Sequence, residues 1–214
     1  MQQKGIEMRK GYGLLFLTLL VVGCSVKNST DTPKKEFREL GITYKSDLVV
    51  RPLDRLELLK LWKKAAHSDL NDPQIQRIIA ALKSKKMAPV VLKEVQFKIG
   101  SQLGVFAAAE IKKGTVVGQY SGKLQHCSDI NYRSNYVFGF KEKAYLMWGI
   151  DALDTGNYTR FINHSYNGNL SVINLYYGKL PRIVFIANRD INEGEELRYD
   201  YGKGYWSSRG IEPE

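Results

Sequence analysis

The chain has 214 residues, enough for one domain with an appendage and too few for a large multidomain architecture. A hydrophobic content of 43% and a charged content of 25% are typical of a chain that buries a core, which excludes a disordered protein. Two cysteines in the whole chain exclude a disulfide-stapled miniature and a four-thiolate zinc cluster.

The net charge of +10 is concentrated in the first half of the chain. Residues 1–30 have a net charge of +3, residues 31–100 of +6 and residues 101–214 of +1. A basic first half could contact an anionic surface such as nucleic acid or lipid headgroups. Solvated helix faces explain the same charges without a partner. The sequence therefore leaves contact with nucleic acid open.

Residues 1–24 have the pattern of an export signal. Arg9 and Lys10 precede the apolar run 14–22, which is shorter than the roughly 20 residues that cross a bilayer. The run closes with V-V-G-C, which resembles the lipobox of bacterial lipoproteins and would make Cys24 the lipidated N-terminus. An incidental cysteine after an apolar stretch is the alternative, and Met8 is an alternative start.

Residues 25–50 are predicted to be a polar tether, and residues 51–88 a helical segment. The first helix covers about 53–66; the second has Asp72 as N-cap, Pro73 at its first position and ends near Lys85. The predicted apolar stripes are Leu53, Leu56, Leu59, Trp62 and Ala66, then Ile75, Ile78, Ile79 and Leu82. We expect a helical layer packed on the rest of the chain; a partner-binding surface is the alternative.

From Val90 onward the sequence is mainly strand-like, in short runs broken by glycines. Candidate strands lie at 90–97, 115–120, 170–177 and 181–186, with a hairpin turn at Gly178-Lys179 between the last two.

Four segments of this half contain the candidate functional residues. They are G-S-Q-L-G-V-F-A at 100–107, G-Q-Y-S-G at 118–122, R-F-I-N-H-S at 160–165 and E-E-L-R-Y-D-Y at 195–201. Asparagine and histidine both donate and accept hydrogen bonds, so beside the apolar Phe-Ile pair they suit an adenine edge and an amino-acid zwitterion.

In this order and spacing the four segments resemble the SET domain of protein lysine methyltransferases, over about residues 95–206. The resemblance implies an α+β, mainly β fold: a SET-domain β-clip with a pseudoknot at residues 90–206, after a small two-helix segment and before a tail at 207–214. It also implies an enzyme that transfers a methyl group from S-adenosyl-L-methionine to a protein lysine.

The resemblance assigns roles residue by residue. The implied cofactor-binding residues are Leu103, Gly104, Val105, Asn163, His164, Tyr201 and Trp206. The implied catalytic residues are Tyr201, Tyr120 and Tyr199, the substrate channel is implied at Tyr120, Tyr199 and Tyr205, and the pseudoknot is implied to rest on Arg160, Glu196 and Asp200. Tyr199 matches a position that sets the number of methyl groups added; a tyrosine there can hold a water beside the amine, so we expect monomethyl-lysine.

The chemistry fits these residue types. Methyl transfer to an amine needs a neutral lysine, exclusion of water and alignment of donor and acceptor, and it needs no nucleophile or metal. A tunnel with tyrosine walls meets these requirements.

The chain departs from the family pattern at several positions. The first glycine of the usual G-x-G is Gln102, and in R-F-x-N-H-S-C-x-P-N the cysteine is Tyr166 and the proline is Gly168. The zinc-binding cysteine clusters of many family members are absent. Cys127 adjoins His126, but no further residue has ligand spacing, so no metal site is predicted.

The implied partner is a lysine-containing protein, either a histone tail of a host or a bacterial protein. The lipobox predicts export, with a membrane anchor at Cys24 or delivery to a host cell; an unprocessed protein in the bacterial cytoplasm is the alternative. Two further alternatives are a catalytically decayed SET-like binding module on an envelope lipoprotein and a purely structural envelope lipoprotein.

Overall fold

A computed structural model of the protein describes residues 32–65, 68–97, 100–131, 134–140 and 145–210. The signal segment and Cys24 lie outside the described residues. The helices are α1 (Thr32–Glu39), α2 (Pro52–Lys64), α3 (Pro73–Ser84) and α4 (Lys203–Ser207). The strands are β1 (Thr43–Tyr44), β2 (Val49–Val50), β3 (Val90–Phe97), β4 (Gly100–Ala107), β5 (Val116–Gln119), β6 (Lys123–His126), β7 (Val137–Gly139), β8 (Trp148–Asp151), β9 (Thr155–Gly156), β10 (Asn163–His164), β11 (Leu170–Tyr177), β12 (Leu180–Ala187) and β13 (Arg198–Tyr199).

Helix α3 forms where its local signals predict it. The Asp72 carboxylate accepts hydrogen bonds from the amides of Gln74 and Ile75, which satisfies two N–H groups that a helix start leaves open. Its stripe of Ile78, Ile79 and Leu82 is buried against the sheet formed by β5, β11 and β12. The predicted helical layer is therefore present, and α3 packs with the predicted face.

Helix α2 packs with a different face from the predicted one. Leu53 and Leu56 are 82% and 64% exposed, whereas Leu58 is fully buried. Five leucines between positions 53 and 61 allow more than one stripe at helical spacing. The buried stripe includes Asp54, whose carboxylate accepts a hydrogen bond from Arg51 at 2.7 Å. The predicted stripe is thus wrong at its first two positions.

The predicted tether at 25–50 extends too far, because residues 32–50 contain helix α1 and strands β1 and β2. Phe37 is 1% exposed and packs against the rings of Tyr44 and Phe161, at 5.2 and 5.8 Å between centroids. Strand β1 pairs with β9, and β2 pairs with β6, both in parallel. A few apolar side chains among many polar ones are enough to attach this segment to the core.

The second half consists of small sheets, as a mainly β fold predicts. The orders are β11-β12-β5, β2-β6-β8-β7 and the pairs β3-β4, β1-β9 and β10-β13. Gly178 and Lys179, with φ of 62° and 63°, form the predicted two-residue turn between β11 and β12. Among the described helices, none is long and apolar enough to cross a bilayer.

Parallel pairing of β10 with β13 joins two distant parts of the chain. Asn163 pairs with Arg198 and His164 with Tyr199, and the segment before β13 also bonds to β4, where the Leu197 amide donates to the Val105 carbonyl at 2.7 Å. The segment that contains β10 therefore lies beside the segment that contains Leu197 and β13, and this second segment in turn lies beside β4.

Candidate active site

Strand β10, strand β4 and the segment before β13 meet at the side chain of Asn163. Its amide nitrogen donates to the Glu196 carboxylate at 2.8 Å and to the Leu103 carbonyl at 3.3 Å. Gly104 has no room for a side chain, because an added Cβ would lie 2.7 Å from Glu196 Oε1 and 2.8 Å from a methyl group of Val95. The predicted cofactor positions Leu103, Gly104 and Asn163 are thus brought together, and the fully buried Val105 anchors the strand beneath them.

His164 presents a buried donor. The amide of Tyr201 donates to Nδ1 at 3.2 Å, so the neutral ring carries its proton on Nε2. Burial lowers the pKa of His164, against the opposing effect of the Asp200 carboxylate at 3.9 Å, so the neutral form is favoured. Nε2 is buried without a hydrogen-bond partner among the described residues.

Trp206 supplies a second buried donor beside it. Its ring centroid lies 4.9 Å from that of His164 and 5.8 Å from that of Tyr201, on which it stacks at 8°. Its Nε1 is likewise buried with no partner in the described part of the chain. Buried N–H groups are nearly always paired, so two unpaired ones side by side indicate a ligand that accepts hydrogen bonds.

Tyr201 connects this donor pair to a continuous row of aromatic rings. Its hydroxyl donates to the Ile162 carbonyl at 2.8 Å. Its ring lies 4.7 Å from the ring of Tyr199 and 4.7 Å from that of Tyr205. Arg209 stacks over Tyr205 at 3.8 Å and donates to the Ser134 carbonyl, so residues 207–210 pack against the site and are no free tail.

The row continues through Tyr199 to Tyr120. Tyr199 stacks on Phe138 at 5.8 Å and contacts Phe185 at 4.9 Å, and both phenylalanines contact Tyr120. The Tyr120 hydroxyl donates to the Tyr136 carbonyl at 2.7 Å. We call this row the aromatic wall; its members are Tyr120, Phe138, Phe185, Tyr199, Tyr201, Tyr205 and Trp206. Burial raises the pKa of Tyr120, Tyr199 and Tyr201 above the ordinary tyrosine value.

The three residues predicted to fix the pseudoknot lie in different places. Glu196 is at the crossing, where it also accepts from Arg198 Nε at 2.7 Å. Arg160 instead donates to the carbonyls of Ala152 and Leu153, which lie outside the two crossing segments. Asp200 is half exposed and caps the amide of Gly202 at 2.8 Å.

Residues 102–202 match the family model described as SET domain. The mainly β architecture agrees with that match. By this match and its architecture, this part of the chain has the SET-domain fold.

Curated relatives and solved structures match the same half. The chain is 35% identical to human histone-lysine N-methyltransferase EHMT1 over 113 residues, which are 50% of this chain and 9% of that protein. It is 36% identical to Danio rerio N-lysine methyltransferase KMT5A-A over 133 residues, 56% of this chain and 38% of the relative. The chain thus spans well under half the length of these relatives.

Solved structures support the fold. Chaetomium thermophilum Polycomb Repressive Complex 2 bound to GSK126 has a TM-score of 0.51 at 31% identity, over 61% of this chain and 18% of that one. A ctPRC2 structure in an autoinhibited conformation bound to S-adenosylmethionine has a TM-score of 0.50 at 32% identity, over 57% of this chain and 16% of that one. The predicted α+β, mainly β SET fold is confirmed.

Several residues of the candidate active site were not predicted from the sequence. Asn169 donates to the Glu196 carbonyl at 2.8 Å and accepts from the Arg198 amide at 2.9 Å. It occupies the last position of the family motif, so the motif itself was a signal for it. Phe138 and Phe185 complete the aromatic wall. The alternation of aromatic residues at 136, 138 and 140 was a sequence signal for Phe138, and Phe185 had no such signal.

The site fits an S-adenosylmethionine molecule by its donor set. The cofactor's adenine, ribose and carboxylate are rich in hydrogen-bond acceptors, and His164 Nε2 and Trp206 Nε1 are buried donors without a described partner. Because Gly104 has no side chain, the β4 backbone can lie directly against Glu196 and Asn163 at the crossing of the two segments. The residues present therefore suit the group.

Proposed function

We propose that this chain is an S-adenosyl-L-methionine-dependent protein-lysine N-methyltransferase. The observation that carries the proposal is the meeting, at Tyr201, of two buried unpaired N–H donors with a continuous aromatic wall. The names of the curated relatives, which are lysine methyltransferases, support it.

We place the cofactor at the pseudoknot, where the segments that contain β10 and β13 cross beside β4. When bound, S-adenosylmethionine would supply an electrophilic methyl group on a sulfonium ion. Leu103, Gly104 and Val105 would offer backbone groups to it, and His164 and Trp206 would donate through their free ring N–H groups. Asn163 holds the crossing segments together through Glu196, which fixes the geometry of that side.

We place the substrate lysine at the aromatic wall. Apolar rings disfavour an ammonium ion, so a lysine entering between Tyr120, Tyr199 and Tyr205 would give its proton to solvent and arrive as the neutral amine. The Tyr201 proton is committed to the Ile162 carbonyl, which leaves the lone pairs of the phenol oxygen for the partly positive methyl group. Because burial raises the pKa of Tyr201, it acts as a neutral phenol and not as a base.

The substrate we propose is a lysine in a protein, a histone tail or a bacterial protein, and the product we propose is mainly monomethyl-lysine. The crowding of Tyr199 by Phe138, Phe185 and Tyr201 supports a pocket with little room for a methylated amine.

Calorimetry with S-adenosylmethionine and mass spectrometry of methylated histones test the proposal. Tyr201→Phe should bind the cofactor almost as wild type does and lose methyl transfer by about tenfold or more, because it removes a polar atom from the reaction axis. Tyr158→Phe is the matched control: its hydroxyl also donates to a carbonyl, that of Val117 at 2.8 Å, but lies outside the aromatic wall. Cofactor binding without any turnover in wild type would instead support a decayed binding module.

We also propose that the protein is exported as a lipoprotein anchored through Cys24. The support is the short apolar run that ends in V-V-G-C. Lipid labelling and detergent partitioning of wild type and Cys24→Ser test this. We expect label and detergent partitioning only in wild type; identical behaviour of both forms would favour an unprocessed cytoplasmic protein.

A further inference from the structure

Helix α4 contains Tyr205 and Trp206, and little within the helix itself fixes its position. It is five residues long, and its N-cap, Gly202, has no side chain to hold the first turn. A helix this short is unstable on its own, so contacts with the rest of the molecule must hold it in place. Residues 128–214 contain no cysteine, so no thiolate zinc cluster next to α4 provides these contacts.

The side chain of Arg209 provides them. Its guanidinium group lies over the ring of Tyr205 at 3.8 Å, and Nη1 donates to the Tyr205 carbonyl at 3.1 Å. Nε donates to the side-chain oxygen of Asn135 and Nη2 to the Ser134 carbonyl, both at 3.1 Å. All three nitrogens of one guanidinium group therefore join α4 to a segment that lies 74 residues earlier in the chain.

The segment that Arg209 reaches is firmly held and lies on the substrate side of the site. Ser134 is 4% exposed, and its hydroxyl donates to the Asp151 carboxylate at 3.1 Å and accepts from the Tyr136 amide at 3.2 Å. The Tyr136 carbonyl in turn accepts the proton of the Tyr120 hydroxyl at 2.7 Å. Arg209 thus ties α4 to a fixed support beside the aromatic wall.

The position of α4 decides where the N–H group of Trp206 points. The Trp206 ring packs edge-on against His164 at 4.9 Å and stacks on Tyr201 at 5.8 Å. A helix of little more than one turn moves as a unit, so a rotation of α4 would separate Trp206 Nε1 from His164 Nε2. The docking of α4 therefore sets the spacing of the two buried donors.

We propose that Arg209 is a positioning residue that docks α4 on the substrate side of the site and thereby orients Trp206 for the cofactor. The inference rests on the proposed function for the identity of the cofactor, whereas the docking is a property of this chain alone. The planar fork of arginine stacks on a ring and donates in several fixed directions at once; a lysine ammonium keeps the charge but not this geometry. Arg209→Lys should therefore undock α4 without a change of charge.

The first test follows the tryptophans of the full chain by fluorine NMR after labelling with fluorotryptophan. Trp62, Trp148 and Trp206 are the tryptophans of the sequence, so three resonances are expected, and single Trp→Phe variants assign them. In Arg209→Lys without cofactor, we expect the Trp206 resonance to shift or broaden and the other two to stay in place. This measurement reports the position of α4 and needs no enzyme activity.

The second test is calorimetry with S-adenosylmethionine. If Arg209→Lys leaves α4 docked in about one chain in ten, the affinity should fall about tenfold, because only the docked fraction binds. Asn135→Ala removes one exposed partner of Arg209, so it should weaken binding in the same direction and to a smaller extent.

Arg182→Lys is the matched control. Arg182 also lies over a tyrosine ring, that of Tyr177 at 5.4 Å, and donates to the carbonyl of the same residue at 3.2 Å, but its described contacts do not involve α4. Because Arg182 is 4% exposed, its replacement should lower the melting temperature at least as much as Arg209→Lys does. The Trp206 resonance and the cofactor affinity should stay unchanged in this control.

An unchanged Trp206 resonance in Arg209→Lys would overturn the proposal. Equal changes in Arg209→Lys and Arg182→Lys would overturn it too, because they would indicate general destabilisation. A shifted resonance with wild-type cofactor affinity would show that the docking does not serve the cofactor. If wild type does not bind S-adenosylmethionine, the proposed function fails, and the fluorine spectra alone then confirm or refute the docking of α4 by Arg209.

Discussion

Tyrosine hydroxyl groups around the candidate active site have their protons committed to backbone carbonyls. Tyr120 donates to Tyr136, and Tyr201 to Ile162. A phenol that donates to a carbonyl can still accept through its oxygen lone pairs. Two such oxygens in an apolar enclosure suit a partly positive methyl group better than they suit an acid or a base.

The first prediction concerns Tyr199 and the product. In Tyr199→Phe a water held by the hydroxyl would be lost and its volume vacated, so a methylated amine could turn with its lone pair toward the donor. We expect monomethyl-lysine to dominate in wild type and dimethyl-lysine to rise in the variant, measured by a peptide time course with mass spectrometry.

Tyr158→Phe serves again as the control, because it loses a buried hydroxyl elsewhere in the fold. If wild type readily makes di- or trimethyl-lysine, or if the product distributions of wild type and Tyr199→Phe coincide, Tyr199 does not set the product state.

The pairing of β10 with β13 involves two strands of two residues each, so its stability has to come from side chains. Asn169 is 3% exposed and bonds to three groups of the second segment: the Glu195 carboxylate, the Glu196 carbonyl and the Arg198 amide. An amide has the donors and the acceptor to do this at once. Asn169 thus joins Asn163 in holding the two crossing segments together.

The second prediction is that Asn169→Ala destabilises the fold. Leaving buried backbone groups without partners should cost about 2–4 kcal/mol. At this chain length that corresponds to a melting temperature lower by about 4–16 °C. Thermal unfolding followed by circular dichroism measures it.

Asn188→Ala is the matched control for this element. Its amide donates one exposed hydrogen bond, to the Gly168 carbonyl at 3.0 Å, so its loss should shift the melting temperature little. Equal destabilisation by the two substitutions would contradict the special role of Asn169.

At the scale of the whole molecule, buried tyrosines link stability to alkaline pH. Burial raises the pKa of Tyr120, Tyr158, Tyr199 and Tyr201 above the ordinary value. A raised pKa in the folded state means that the folded chain holds these protons more tightly than the unfolded chain. The contribution of these tyrosines to the free energy of unfolding is therefore fully present below about pH 10, the pKa of a tyrosine in the unfolded chain.

The third prediction follows from the raised pKa values of these buried tyrosines. The free energy of unfolding should fall as the pH rises above about 10, and tyrosinate should appear together with unfolding. Denaturant unfolding across an alkaline series, with tyrosinate absorbance in parallel, measures both. Tyr120→Phe should flatten the alkaline fall; full ionisation of the tyrosines in a chain that stays folded would contradict the prediction.

Local signals in the sequence determined much of this protein. Asp72 and Pro73 begin α3 because their side chains act within one turn of the helix, and Gly178-Lys179 turns because the two-residue hairpin needs positive φ. The motif residues Asn163, Glu196 and Tyr201 could be named before any fold was known, since a family motif preserves residue types in order.

Only the tertiary structure decided which surfaces meet. Leucines 53 to 61 offer several helical stripes of similar apolarity, so the choice of Leu58 over Leu53 depends on the sheet that the helix packs against. The three hydrogen bonds of Asn169, the aromatic partners of Tyr199 and the hydrogen bond from Arg209 to Ser134 join residues far apart in the chain. Such contacts form when strands pair across the fold, and hydrophobic periodicity within one segment does not contain the partner's position.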